Sequence, residues 1–526
     1  MHHDDSSHAL TRRRFLQLSA AGAALSTVSH AAPAIAGDAG ARPVITSGVQ
    51  TGDVELDRAV VWCRADRPAR LRVRYGTTDA LAGARERVSA PTSADADFTA
   101  RLDLTGLPPG QRIVYEARFE GSGGELSEPV RGAFRTPART AAPVRIVWGG
   151  DVCGQGWGID ETHGGMQTFA SMRAVEPDLF IHSGDLIYAD GPIPATVRLD
   201  DGSTWRNLVE DGVGEVAQTL DQFRGRYRYN FRDAHLRAFN AEVPIVAQWD
   251  DHEVLNNWYP TEVLGAAGND ARYTEKQVSV LAARAKQAFF DYAPIRPTDG
   301  PGRRDPRQVY RVVRRGPLAD VFVLDLRSYR GPNTDNLQPQ PGPDTAILAA
   351  AQRAWLEEAL ARSTATWKIV ACDQPIGLVV PDGPLQEGIA NADPRTLGRE
   401  HEIAALLSAL KRRRVRNVLF VTADVHYAAA HVYEPTHATW TDFDPFWEFV
   451  AGPLHAGTAA RPATLDATFG PRAVFTSPMP AGNSSPAADL QFFGLIAIDP
   501  ATKAATVTLQ DRNGKVLYTK VLEPTA

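Results

Sequence analysis

The stretch Val144-Arg-Ile-Val-Trp-Gly-Gly-Asp-Val-Cys153 decides the reading of this chain. A short apolar run meets two glycines and then an aspartate and a cysteine. The same grammar returns in Asp178-Leu-Phe-Ile-His-Ser-Gly-Asp-Leu-Ile-Tyr188, Val243-Pro-Ile-Val-Ala-Gln-Trp-Asp-Asp-His-Glu253, Lys368-Ile-Val-Ala-Cys-Asp373 and Asn417-Val-Leu-Phe-Val-Thr-Ala-Asp-Val-His426. Each run has the length of a buried strand, and each ends in residue types that bind metals. In an open α/β sheet the carboxyl ends of the strands face one crevice. These five strings are therefore expected to converge on one dinuclear metal site.

Outward from them, strands are predicted at 144–148, 178–182, 243–248, 321–326, 368–372 and 417–422. Helical spacing of Leu and Ala is seen at 350–361 and 400–411. Strands alternating with helices indicate an α/β layer structure over 144–526. Residues 492–523 return to an alternating β pattern and are read as edge strands. Residues 42–136 differ, with short β-like runs at 59–64, 70–75, 98–104 and 113–119 parted by Leu107-Pro-Pro-Gly110 and Gly121-Ser-Gly-Gly124. That spacing predicts an all-β sandwich similar to immunoglobulin or fibronectin modules, joined by a linker at 137–143. Two long segments, 190–242 and 331–345, are read as functional lids.

A chain of 526 residues with 43% hydrophobic and 22% charged residues fits two globular domains. The formal net charge of -6, with no basic stripe beyond Lys411-Arg-Arg-Arg414, gives no nucleic-acid partner. That basic run is read as a helix C-terminus, where cations suit the dipole. No stretch reaches the roughly 18 apolar residues of a transmembrane segment. Thr11-Arg-Arg-Arg-Phe-Leu-Gln17, the weakly apolar run 15–28 and Ala34-Ile-Ala36 together read as a twin-arginine signal over 1–36. The expectation is a secreted or periplasmic protein with the Tat translocase as its partner during export. Export of a folded chain suits a metal loaded beforehand. The three cysteines are odd in number for such a protein. Cys63 is read as a core residue; Cys153 and Cys372 belong either to the site or to a mutual disulfide.

The donor types differ along the strings. Asp185, after Gly184, can bridge two cations. Tyr188 has a phenol with a pKa of about 10, so it becomes a ligand only to a strongly Lewis-acidic ion such as ferric iron. The thiolate of Cys153 prefers iron or zinc to calcium or magnesium. His426 adds an imidazole. Asp424, two residues earlier, is expected on the same face of a strand end and offers oxygen. Asp373 does the same, and an all-oxygen set suits a hard ion such as calcium. One of Asp250, Asp251, Asn256 and Asn257 is expected to complete that set. His252 is the right type to protonate a leaving oxygen, Asp151 is read as a supporting group, and Arg224 or Arg226 as a phosphate clamp by residue type.

As a set, Asp151-Val-Cys-Gly-Gln-Gly-Trp157, Ser183-Gly-Asp-Leu-Ile-Tyr188, Trp249-Asp-Asp-His-Glu253 and Thr422-Ala-Asp-Val-His426 resemble the PhoD-type alkaline phosphatases and phosphodiesterases. This branch is similar to purple acid phosphatases within the calcineurin-like metallophosphoesterases. The resemblance covers nearly the whole chain after the signal. It implies a four-layer αββα sandwich behind the all-β N-terminal unit. It further implies Cys153, Asp185, Tyr188 and His426 on Fe3+, with Asp185, Asp373, Asp424 and one residue of the Asp251 to Asn256 string on Ca2+. Zinc or manganese would be the substitutes. The implied reaction is hydrolysis of phosphate mono- or diesters by a metal-bound hydroxide or oxide.

Relative to purple acid phosphatases, Asp424 stands where the first histidine of Gly-His-x-His would be, and Asp251 where the asparagine of Gly-Asn-His-Glu would be. Both departures move the second site toward oxygen. The form around Asp151 and Cys153 is also similar to secreted metal-dependent phospholipase D, which makes phospholipids a second substrate class. The readings from other classes are a Tat-exported oxidoreductase and a cell-surface binding module. For the former the chain has no Cys-x-x-Cys-His string and no Gly-x-Gly-x-x-Gly fingerprint.

Overall fold

The computed structural model describes residues 42–296, 307–459, 464–479 and 482–525; the predicted signal at 1–36 lies outside them. The chain opens with β1 (Ile45–Gly52), β2 (Arg58–Ala65), β3 (Arg70–Gly76), β4 (Arg85–Pro91), β5 (Thr99–Thr105), β6 (Arg112–Glu120) and β7 (Val130–Arg135). After the linker come β8 (Val144–Gly149), α1 (Gln167–Ala174), β9 (Leu179–Ser183), the hairpin β10 (Thr196–Arg198) and β11 (Thr204–Arg206), α2 (Leu220–Asn230), α3 (Ala234–Glu242) and β12 (Ile245–Gln248). There follow α4 (Val278–Tyr292), β13 (Arg311–Arg314), β14 (Ala319–Val323), α5 (Ala349–Arg362), β15 (Trp367–Ala371), the small pair β16 (Pro381–Asp382) and β17 (Leu385–Gln386), and α6 (Glu400–Arg412). The chain closes with β18 (Val418–Thr422), β19 (Ala429–Tyr433), β20 (Phe446–Val450), β21 (Pro471–Thr476), β22 (Phe492–Ile498), β23 (Ala505–Asp511) and β24 (Val516–Leu522).

Two large sheets carry the second part, ordered β24-β23-β22-β8-β9-β12-β1-β2-β5 and β13-β14-β15-β18-β20-β19-β21. Their central pairs, β8 with β9, β9 with β12, β14 with β15 and β15 with β18, are parallel. Side-chain alternation along the apolar runs makes the layers. Val321, Val323, Ile369, Ala371, Leu419 and Val421 share a core with Trp148, Ile181 and Val246 of the facing sheet. The intervening Phe322, Val370 and Phe420 pack outward on Leu356 and Leu360 of α5 and Ile403 and Leu407 of α6. On the other side, Phe169 and Met172 of α1, Phe239 of α3 and Phe289 of α4 cover the first sheet. The result is the expected αββα sandwich.

The N-terminal sandwich packs Val49, Val61 and Cys63 against Leu71, Val73, Tyr115 and Phe119 of the sheet β4-β3-β6-β7. Its other sheet continues into the first large sheet, because β1 pairs in parallel with β12 at Gly52 and Ile245. A Cβ at Gly52 would lie 2.8 Å from the Ile245 carbonyl oxygen, so this seam requires glycine. Trp62 points the opposite way from Cys63, donates to the Asp291 carbonyl at 2.7 Å and packs on Phe231 and Tyr292.

The run 321–326 is a strand only to Val323; beyond it Asp325 turns the chain. The segment 190–242 forms a hairpin and two helices. Lys411 and Arg412 do close α6. All three cysteines are free, which removes the Cys153 to Cys372 disulfide. No helix among the described residues is long and apolar enough to cross a membrane.

Candidate metal centre

Six aspartates each stand two residues past the end of a parallel-paired strand: Asp151 after β8, Asp185 after β9, Asp250 after β12, Asp325 after β14, Asp373 after β15 and Asp424 after β18. One residue leaves the ladder and the next turns into the space between the two sheets. Gln248 spans that space at its floor, donating to the carbonyls of Leu324 at 2.9 Å and Ala371 at 3.0 Å. Asp151, Asp185, Asp424 and His426 all have left-handed backbone, with φ of 64°, 54°, 67° and 55°. For residues with a Cβ this costs about 1–2 kcal/mol each and persists only where the surroundings hold it. At Asp151 they do: its carbonyl accepts from the amides of Leu454, His455 and Ala456 at 3.0, 3.1 and 3.1 Å.

This backbone also corrects the expectation that Asp424 and His426 share a strand face. Both lie past β18 and reach different neighbours. Asp151, Asp185 and His426 bring ligand atoms within 4.8 Å of one another, and so do Asp250, Asp251 and Asp424. A third such group, Asp185, Asp251 and His252, joins the two. His426 turns Nδ1 to the Gly457 carbonyl at 2.5 Å, which places its proton there. Its Nε2 is then a lone pair facing the crevice, 2.8 Å from the Tyr188 hydroxyl and 3.8 Å from Asp151 Oδ1. The other ring nitrogen anchored on a carbonyl is the usual arrangement behind a metal-binding histidine.

Several groups hold these donors. The Glu253 carboxylate accepts from the backbone amides of Asp185 at 3.1 Å, Leu186 at 2.6 Å and Asp250 at 2.7 Å, tying two strand ends together. His252 faces Asp190 Oδ1 with Nδ1 at 2.7 Å and stacks on the Tyr188 ring with centroids 4.2 Å apart. The Tyr188 ring covers Gly154, where a Cβ would collide with it. Arg327, fully buried, sets Nε 2.5 Å from Asp250 and its fork 2.7 Å from Glu387.

Burial first, and then neighbouring carboxylates, push Asp151, Asp185, Asp373 and Asp424 well above the ordinary carboxylate range. Burial, then Asp185 and Asp151, also push the Tyr188 phenol up. Such acids ionise together only beside positive charge. Both oxygens of Asp151, and Oδ2 of Asp185 and of Asp424, are buried and accept no hydrogen bond from any described residue. Converging anionic donors with unused lone pairs fit metal ions: a phenol, an imidazole and two carboxylates in one half, carboxylates alone in the other.

The predicted residues fall out unevenly. Asp151, read as support, is central. Asp251 belongs to two of the three groups, whereas Asn256 is half-buried and donates its backbone amide to Asp190 at 3.0 Å. Asn257 donates its amide to Asp251 at 2.7 Å. Asp373 stands behind the groups, 3.8 Å from Arg327. Cys153 is buried in the core and joins none of the three groups; burial pushes its thiol up. The clamp arginines are corrected outright. Arg224 pairs with Asp291 at 2.6 Å, and Arg226 donates to the Gly191 and Glu215 carbonyls, so both are spent on structure. Asp325 carries the same strand-end signature yet is not among the expected residues; Arg327, Asp190 and Glu387 carry no such mark. Asp325 accepts from the amides of Arg327 at 3.2 Å and Ser328 at 2.9 Å and so pins the turn that delivers Arg327.

The sequence pattern of PhoD-like phosphatases matches residues 146–509, and that of their N-terminal domain matches residues 30–138. Alkaline phosphatase D of Bacillus subtilis (strain 168) is 29% identical over 415 residues, which is 72% of this chain and 64% of that protein. The solved structure of PhoD superposes with a TM-score of 0.67 at 20% identity, covering 93% of this chain and 94% of that one. A purple acid phosphatase, PPD1 from yellow lupin (Lupinus luteus) seeds, superposes with a TM-score of 0.57 at 14% identity, covering 92% and 74%. With its αββα layers, its N-terminal sandwich and a family match over most of its length, the chain belongs to the PhoD-like phosphatases.

Proposed function

We propose that this protein is a secreted, metal-dependent phosphoesterase that hydrolyses phosphate mono- or diesters at a ferric iron and calcium pair. The observation that carries the reading is the convergence of Asp151, Asp185, Asp250, Asp251 and Asp424 with His252 and His426 on one crevice, in two halves of unlike donor chemistry. Asp151, Asp185, Tyr188 and His426 would hold the first ion, with Cys153 added by the family resemblance. Asp251 and Asp424, backed by Asp250 and Asp373, would hold the second. A metal pair bound there supplies positive charge to phosphate oxygens and lowers the pKa of a water near it.

The chain's own groups supply the rest. His252 lies at the mouth with its Nδ1 on Asp190, so Nε2 is the atom that can pass a proton to a leaving oxygen. Asp190 orients the ring. Glu253 keeps the Asp185 and Asp250 turns in place. Secretion through the twin-arginine pathway belongs to the same proposal and rests on the arginine string at 12–14.

A panel of p-nitrophenyl phosphate, bis-p-nitrophenyl phosphate and phosphatidylcholine, with iron and calcium and again with chelator, tests it. Turnover lost with chelator and restored by the two ions is expected. Failure to cleave every substrate at full metal occupancy would sink the reading, and turnover of phosphatidylcholine alone would move it to phospholipase D.

A further inference from the structure

We infer that Arg327 is a resident cation of the oxygen-rich half: it holds the carboxylates together before an ion arrives and then competes with that ion for them. Its side chain is fully buried. Nε lies 2.5 Å from Asp250 Oδ1 and 3.8 Å from Asp373 Oδ2. Of the two fork nitrogens, one is 2.7 Å from Glu387, and the other is 3.9 Å from both Asp251 Oδ1 and Asp424 Oδ1. One guanidinium thus faces five carboxylates; Arg330, 3.4 Å from Glu387, is the second cation. The backbone of Arg327 is itself pinned by Asp325.

An arginine that grips a substrate presents its fork to solvent, and this one has its fork enclosed and facing acids. Buried carboxylates at such separations repel strongly unless a cation lies among them. Arg327 supplies that charge from within the chain. The contacts with Asp251 and Asp424, like that with Asp373, are long, and the Asp251 and Asp424 oxygens also converge on each other. An ion seated between them therefore shares its ligands with the guanidinium and is repelled by it. The two cations are coupled antagonistically: Arg327 stabilises the empty cage and weakens its hold on the ion, which keeps the ion exchangeable. This inference rests on the reading that Asp251 and Asp424 hold a divalent ion.

The test uses the full chain stripped of metal, with calcium binding followed by calorimetry and heat stability by melting. Arg327→Met is expected to melt below the parent without ions, to bind calcium roughly tenfold or more tightly, and to regain more of its melting temperature when calcium is added. Arg327→Lys keeps the charge but loses the fork, so it should fall between the two on both readouts. If the Met chain does not fold without calcium, the Lys chain carries the test, and calcium affinity no tighter than the parent's overturns the inference. Equal calcium affinity in the parent and the Met chain overturns it while leaving the phosphoesterase reading intact. A parent that binds no divalent ion at all overturns both.

Discussion

The Tyr188 hydroxyl lies 2.8 Å from Nε2 of His426, joining residues 238 positions apart. The pair gives one half of the candidate centre a phenol and an imidazole beside its carboxylates, the donor set on which the proposed iron site rests. Burial and the neighbouring acids keep the phenol protonated without a cation.

Tyr188→Phe is therefore expected to abolish any visible charge-transfer band of the iron-loaded protein. Activity should fall by more than the roughly 10–100-fold typical of residues that stand behind a ligand. Cys153→Ser is expected to lower iron content. A spectrum unchanged by Tyr188→Phe, or a colourless parent with zinc alone by elemental analysis, would refute the iron assignment.

His252→Ala should slow hydrolysis of alkyl phosphates by about 100-fold or more, as loss of a general acid does. p-Nitrophenyl phosphate, whose leaving group needs no proton, should be affected far less. Asp190→Asn should show the same asymmetry in weaker form. Equal losses on both substrates would mean that His252 is structural.

Glu253→Gln replaces one acceptor oxygen by a donor facing backbone amides. Each amide left unsatisfied costs about 1–3 kcal/mol, so the variant should melt well below the parent and bind both metals more weakly. A melting curve and metal content equal to the parent's would show that the Glu253 clip is dispensable.

Burial, with Asp466 beside it, pushes the Glu400 carboxyl up to about 8. A carboxyl whose folded pKa is raised contributes stability that is full below its unfolded value of about 4.3 and is lost as pH climbs through the folded one. The melting temperature of the metal-loaded protein should decline over that interval, and Glu400→Gln should flatten the decline. Parallel profiles for parent and variant would rule Glu400 out as the cause.

Much of the centre was legible because its signal is local. Asp151, Asp185, Asp373 and Asp424 each follow an apolar run by a fixed short step, so chain order alone placed them at strand ends. Asp325 carries the same signature but is hidden because the run 321–326 reads as unbroken strand through the aspartate, and Arg327 just beyond it has no mark of its own. Glu387 and Asp190 had no comparable mark. Glu387 lies on the short strand pair's exit, and its meaning comes from Arg327, Arg330 and Gln374, which meet its carboxylate only in the folded chain.

The amino-acid sequence by itself determined the central strands, the helices α5 and α6 and the residue types at the crevice, since hydrophobic period and turn chemistry act over a few residues. Only the tertiary structure decided which donors meet. It put Asp251 rather than Asn256 among the converging oxygens, set Cys153 in the core, spent Arg224 and Arg226 on distant carbonyls and acids, and fused the N-terminal sandwich to the main sheet at Gly52. Those outcomes depend on strand order and on left-handed turns at Asp151, Asp185, Asp424 and His426, which are held by contacts with other segments: Asp151 with Leu454 and His455, Asp185 with Glu253, and His426 with Tyr188 and Gly457.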